Sequence, residues 1–144
     1  MNVTPDIASL VPHAGRMCLL ERVLDWDEST VTLATVTHRD PANPLRSDGR
    51  LRAIHLCEYG AQAMAVHGGL RARSRGERAQ PGMLVSLRDV LLDCDDVHDL
   101  VGELLITARC VRESPSAWQY DFRVSHGTRL LAQGRATVSL ASGT

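Results

Sequence analysis

The 144-residue sequence contains no lysine: all 16 basic residues are arginine. A Schiff-base lysine and a P-loop lysine are therefore excluded as catalytic devices. Aromatic residues are scarce as well. Trp26, Tyr59, Trp118, Tyr120 and Phe122 are the whole set, so the core must be filled with Leu, Val, Ala and Met. So few rings argue against a base-stacking platform for single-stranded nucleic acid. Neither sign of charge dominates. With 17 acidic residues the net charge is −1, which disfavours a generic nucleic-acid partner. No run of about 18 apolar residues is present to span a membrane, and Pro5 and Asp6 interrupt any apolar leader. Cys18, Cys57, Cys94 and Cys110 show no C-x-x-C spacing. These absences lead us to expect a soluble, cytoplasmic chain with reduced thiols, no bound metal and no membrane span.

What is present suits one domain over residues 1–144. Apolar residues make up 44% and charged residues 23%, both ordinary globular values. Residues 4–12 read as a short helical turn ending at Pro12. Residues 17–26 and 30–38 alternate apolar with polar positions around Asp27-Glu28-Ser29 and read as a β-hairpin. Residues 39–52 hold two prolines and four arginines and cannot form a long helix. Residues 53–70 are the one long helix candidate, with Gly68-Gly69 as the expected stop and an Arg-rich loop over 71–82. Residues 83–93, 102–112, 117–125 and 129–140 are four strand-length runs separated by turn residues. One helix must then serve about six strands, which predicts an α+β architecture in which a curved antiparallel sheet wraps a single central helix. That arrangement is the hot-dog fold. An open wrapped sheet leaves edges uncovered, so a dimer is expected.

Helical spacing divides the central segment. Ile54, Cys57, Ala61, Met64, Ala65 and Gly68 form an apolar or small face, expected to be the core face. His55, Glu58 and Gln62 share a second face. Two readings fit this polar stripe. Either it faces solvent, or Glu58 is a catalytic carboxylate with His55 as neighbouring acid/base and Gln62 as a positioning amide. Cys57 falls on the apolar side, as a structural thiol would.

Two segments carry a family resemblance. Residues 10–23, LVPHAGRMCLLERV, resemble the N-terminal segment of hot-dog β-hydroxyacyl-ACP dehydratases, where a Pro-His pair precedes an apolar strand. Residues 58–62, EYGAQ, resemble the helix signature of the same enzymes, an acid followed by x-x-Ala-Gln. The stretch from Gly49 to Leu70 is similar to a divergent subfamily of predicted 3-hydroxyacyl-ACP dehydratases from aryl-polyene-type clusters. The resemblance implies dehydration of a 3-hydroxyacyl thioester on phosphopantetheine to the trans-2-enoyl thioester, without metal or redox cofactor. It implies a tunnel between two subunits, with a His and an acid from different protomers. Glu58 takes the acidic role, Gln62 matches the signature amide, and the backbone N–H groups of Leu56 and Cys57 polarise the carbonyl. The family's usual His lies 14 residues before the acid, and here that position is Pro44. His55, His13 and His38 are the candidate substitutes, in that order of preference for the first two. Residues 40–46, DPANPLR, also resemble the motif of R-specific enoyl hydratases, one residue too long and with Arg46 in place of its His.

Arg71, Arg73, Arg75 and Arg78 follow the helix and, if clustered on a rim, would attract an acidic acyl carrier protein. A solvated loop is the plainer reading. Residues 93–99, DCDDVHD, have metal-ligand residue types without metal-site spacing and read as a turn. The dehydratase thus stands beside two alternatives: an acyl thioesterase using Glu58 to activate water, and a silent subunit of an active dehydratase, in a homodimer or a heterodimer.

Overall fold

The computed structural model describes Ile7, residues 17–78 and residues 82–140. Six strands form one antiparallel sheet: β1 Arg22–Trp26, β2 Thr30–Thr35, β3 Gly82–Leu92, β4 Leu104–Glu113, β5 Ala117–His126 and β6 Arg129–Leu140. Their spatial order is β1-β2-β4-β5-β6-β3. The long helix, α1, runs Leu56–Ser74 behind a 3₁₀ turn at Ala53–His55 and packs across β2, β4, β5 and β6. This is the α+β architecture expected from the element order.

Period-two burial builds the sheet's inner face. Val31 and Leu33 on β2, Leu104, Ile106 and Ala108 on β4, and Tyr120, Phe122 and Val124 on β5 all point to the helix and are buried. The turns follow from local chemistry. Asp27 Oδ1 accepts from the Ser29 and Thr30 amides, both at 2.9 Å, and closes the β1–β2 hairpin. Gly127, at φ +59°, turns β5 into β6.

The single phenylalanine decides how closely helix and sheet approach. A Cβ on Gly60 of α1 would lie 2.6 Å from Phe122 Cγ, and one on Gly134 of β6 would lie 2.7 Å from Phe122 Cε2. The ring fills a gap that exists because both neighbours lack a side chain.

Several boundaries differ from expectation. The first strand begins at Arg22 and the second ends at Thr35, after which a 3₁₀ turn at Thr37–Arg39 buries His38. The helix does not stop at Gly68-Gly69, so residues 71–74 are not loop. Gly68 is small because the Trp118 ring packs 3.2 Å from where its Cβ would be. The true stop is a Schellman motif. Gly76 sits at φ +69°, its amide donates to the Arg73 carbonyl at 3.1 Å, and the Glu77 amide donates to the Ala72 carbonyl at 2.8 Å. The expected turn over 4–12 lies outside the described residues except for Ile7, which is buried.

The core face of α1 also differs. Of the expected face Met64 is buried, but Ile54 is 50% exposed and Cys57, Ala61, Ala65 and Gly68 are half-buried; Leu56, Tyr59, Ala63, Val66 and Leu70 are buried as well.

Gly60→Ala should lower unfolding free energy by about 1–3 kcal/mol, the usual cost of overpacking. Denaturant titration against the wild type measures it, and an unchanged midpoint would show that Phe122 has room to move.

Candidate functional site

The start of α1 is held from outside. Arg50 grips Asp96 through Nη2–Oδ2 at 2.7 Å and Nε–Oδ1 at 3.2 Å. The Ala53 amide donates to the Asp95 carbonyl at 2.8 Å, and the Val97 amide donates to the Leu51 carbonyl at 2.9 Å. Residues 95–98 thus serve as an anchor for the linker that precedes the helix. Among the described residues, no group of three His, Cys, Asp or Glu side chains is arranged to hold a metal. The 3₁₀ turn has a consequence for the expected oxyanion donors. The Leu56 amide already donates to the Ala53 carbonyl, so it is not free to polarise a thioester carbonyl.

Glu58 and His55 lie half-buried at this end of the helix. His55 ends the 3₁₀ turn and Glu58 follows three residues on in the first turn of α1, a spacing that puts the two on neighbouring positions of one flank. Gln62, one turn on, does not share their exposure: it is 1% exposed. Its Oε1 accepts from the Leu19 amide at 2.9 Å, and its Nε2 donates to the Met17 carbonyl at 2.5 Å. The same Nε2 lies 3.5 Å from Glu58 Oε1. Gln62 therefore pins residues 17–19 across the outward side of α1 and leaves its amide beside the Glu58 carboxylate. The stripe seen in sequence is one buried clamp and two half-buried titratable groups.

A second buried polar cluster holds residues 37–46. Asn43 Nδ2 donates to the Thr37 carbonyl at 2.9 Å and to Tyr59 Oη at 3.0 Å. Thr37 Oγ1 donates to the Leu19 carbonyl at 2.7 Å, which leaves it to accept from Tyr59 Oη at 2.9 Å. Sequence reading missed this cluster. Its one signal was a tyrosine on an apolar helix, which needs a polar partner when buried. Pro44, where the family's His would stand, is exposed next to this clamp.

The histidines sort into pinned and unpinned. His38 Nε2 donates to the Leu100 carbonyl at 2.8 Å. His67 is fixed at both ends: Nε2 donates to the Asp27 carbonyl at 2.9 Å, so Nδ1 accepts from Tyr120 Oη at 2.7 Å. His98 Nδ1 accepts from the Leu51 amide at 3.3 Å, and His126 Nε2 donates to the Val101 carbonyl at 2.6 Å. His55 is the described histidine whose ring makes no hydrogen bond to a described residue. His13 lies outside the described residues.

The arginines also divide. Arg73 is exposed in the last turn of α1, but Arg71 is 3% exposed and is not a rim residue. Its Nη2 donates to Glu113 at 2.8 and 3.0 Å, and its guanidinium lies 4.9 Å from the Trp118 ring centroid. α1 runs on through Ser74, which turns Arg71 inward against β4 and β5.

Comparison with known proteins fits this architecture. The ApeP-like family, described as ApeP dehydratase, matches residues 5–142. The dehydratase heterocomplex ApeI:P from Xenorhabdus doucetiae has a TM-score of 0.84 at 24% identity, covering 95% of this chain and 91% of that one. AziG from S. sahachiroi has a TM-score of 0.60 at 17% identity, covering 91% and 97%. A hypothetical thioesterase with coenzyme A from Streptococcus pneumoniae has a TM-score of 0.58 at 16% identity, covering 83% and 84%. No curated protein matches the sequence. At these identities the structural likenesses establish the hot-dog fold.

The two buried histidines carry a pH signature of their own. Burial pushes both His38 and His67 below the ordinary value of 6.5, so each folds as neutral imidazole. The unfolded chain binds more protons than the folded one as pH drops below 6.5. Stability should then be full above that value and fall on acidification through it. Chemical denaturation at pH 7.5 and 5.5 should show the loss, and His67→Gln should reduce the difference, leaving the share of His38. A midpoint independent of pH in the wild type would contradict the neutral assignment.

Proposed function

Because the chain belongs to the ApeP-like dehydratase family, we propose that it dehydrates a 3-hydroxyacyl thioester carried on acyl carrier protein, with Glu58 as its catalytic carboxyl. The observation that carries this reading is the sorting of the titratable groups. Four of the five described histidines are tied to backbone or buried hydroxyl partners, while Glu58 and His55 lie half-buried three residues apart at the start of α1. Dehydration needs two proton movements: one proton leaves C2, and one joins the departing 3-hydroxyl, so that water leaves and a C2–C3 double bond forms. A carboxyl and an imidazole supply that pair. His55 is the first choice for the imidazole, with His13 the second. Gln62, immobilised by residues 17–19, holds its amide against Glu58 and limits where the carboxyl can turn. The thioester carbonyl would face the start of α1, where the Cys57 amide and the positive end of the helix favour developing negative charge.

The exposed β3 edge calls for a second subunit. β3 pairs only with β6 among the described strands. Its Met83, Val85 and Leu91 are 69%, 56% and 61% exposed, and Leu84, Leu87 and Leu92 are also open to water. Such an edge is a liability unless another strand or subunit covers it. A second hot-dog subunit, identical or not, is the proposed cover, and ApeI:P, itself a heterocomplex, supports the unlike pairing. The silent-subunit reading draws on Pro44 standing at the family's His position.

The purified assembly incubated with a 3-hydroxyacyl thioester should produce enoyl absorbance without free thiol. Glu58→Gln should reduce the rate by about 10²-fold or more with folding unchanged, as should His55→Asn if His55 is the partner imidazole. Thiol release without enoyl would mark a thioesterase. A folded assembly that makes neither product, or a Glu58→Gln variant at full rate, would overturn the catalytic assignment.

A further inference from the structure

We propose that the outer face of the sheet, opposite α1, docks an acidic helical segment of a partner protein. The proposal does not depend on the dehydratase reading. Ala108 of β4, Tyr120 and Phe122 of β5, and Ala136 of β6 are buried on the inner face. Strand alternation therefore points Arg109, Asp121, Arg123 and Arg135 the other way. The register sets them side by side: Arg109 pairs with Asp121, Asp121 with Arg135, and Arg135 with Arg88 of β3. Arg123 follows Asp121 by two residues on the same face of β5.

This row is electrostatically unbalanced. Asp121 is its one carboxylate, and Arg135 takes both oxygens, Nε–Oδ1 at 2.7 Å and Nη2–Oδ2 at 3.2 Å. Asp89, next to Arg88, also acts on Arg135. Arg88, Arg109 and Arg123 are exposed and form no ion pair with a described residue. Arg88 and Arg135 stand directly opposite each other, a pairing of like charges that works against the fold. Asp25, at the other edge of the sheet, is separated from Arg123 by Thr32 and Thr107. Four arginines against Asp121 and Asp89 leave this patch positive, although the chain's net charge is −1. The remainder of the molecule is therefore net negative.

Charge and spacing select the partner. Neighbouring strands lie about 4.8 Å apart, close to the roughly 5–6 Å between residues i and i+4 on a helix. A helix laid across the strands can set successive carboxylates against Arg109, Arg123 and Arg88. Each guanidinium can then take a carboxylate with two parallel hydrogen bonds. A long polyanion would run off the patch onto net negative surface. The row also holds no aromatic ring on which bases could stack, so a nucleic acid is the poorer fit.

The probe is a fluorescein-labelled, alanine-based helical peptide with glutamate at every fourth position; the control carries glutamine there. Fluorescence anisotropy with the purified protein at low salt should show saturable binding of the glutamate peptide and none of the glutamine peptide. Binding should be lost as salt is raised. Arg109→Ser and Arg123→Ser together should weaken it by about tenfold or more. Arg39→Ser and Arg78→Ser together remove the same charge from exposed positions outside this face and should change it by less than about twofold. The proposal is overturned by no saturable response, by equal binding of the glutamine peptide, by equal losses in the two double variants, or by tighter binding of an oligothymidylate of matching charge.

Discussion

The ring of Phe122 between Gly60 and Gly134 sets the position of everything else. With one phenylalanine in the chain, the core has one large apolar ring to spend, and it lies where helix and sheet come closest. Burying such a side chain is worth about 2–3 kcal/mol, but its geometric effect matters more. With Gly60 fixed against the ring, the rotation of α1 is fixed too. Leu56, Tyr59, Ala63, Val66 and Leu70 then face the sheet, and Ile54, Ala61 and Glu58 turn away from it. The half-buried face beside Glu58 follows from the packing of a residue on β5.

The two ends of α1 are finished differently. The far end is closed by a Schellman motif and by the buried set of His67, Tyr120 and Arg71, with Glu113 across from Arg71. The near end is braced from behind by residues 95–98 and by the Asn43–Tyr59–Thr37 cluster, and crossed by the segment that Gln62 holds. Rigid support surrounding two half-buried titratable groups is what a reactive pair requires, since misplacement by an ångström is costly to rate. The far end commits its arginine to buried order, with Arg71 held by Glu113 and backed by the Trp118 ring.

The strand pattern was readable from sequence because burial there alternates with period two; β6 spans residues 129–140, the same range that its apolar alternation gives. The Asp27 turn was readable for the same reason, a local side-chain bond. The helix was harder. Alanine occupies either face at little cost, so Ala61 and Ala65, with Ile54 and Cys57 in register, masqueraded as the core face, while Tyr59, His67 and Arg71, which look like surface residues, are inside. Gly68-Gly69 resembled a stop, although their smallness serves the Trp118 contact; the stop signal was Gly76 after a basic last turn. At the site, the spacing of His55, Glu58 and Gln62 was legible. The fate of Gln62 was not, because its partners Met17 and Leu19 lie 45 and 43 residues away.

The central claim is that the packing of Phe122 turns Glu58 away from the sheet, onto the flank where the proposed substrate would meet it. Carbodiimide coupling of an amine to carboxyl groups, mapped by peptide mass spectrometry, reads this directly. Glu58 should be modified in the free protein and protected when the 3-hydroxyacyl thioester saturates it. A Glu58 that resists modification without substrate, or is modified equally with it, would contradict the account.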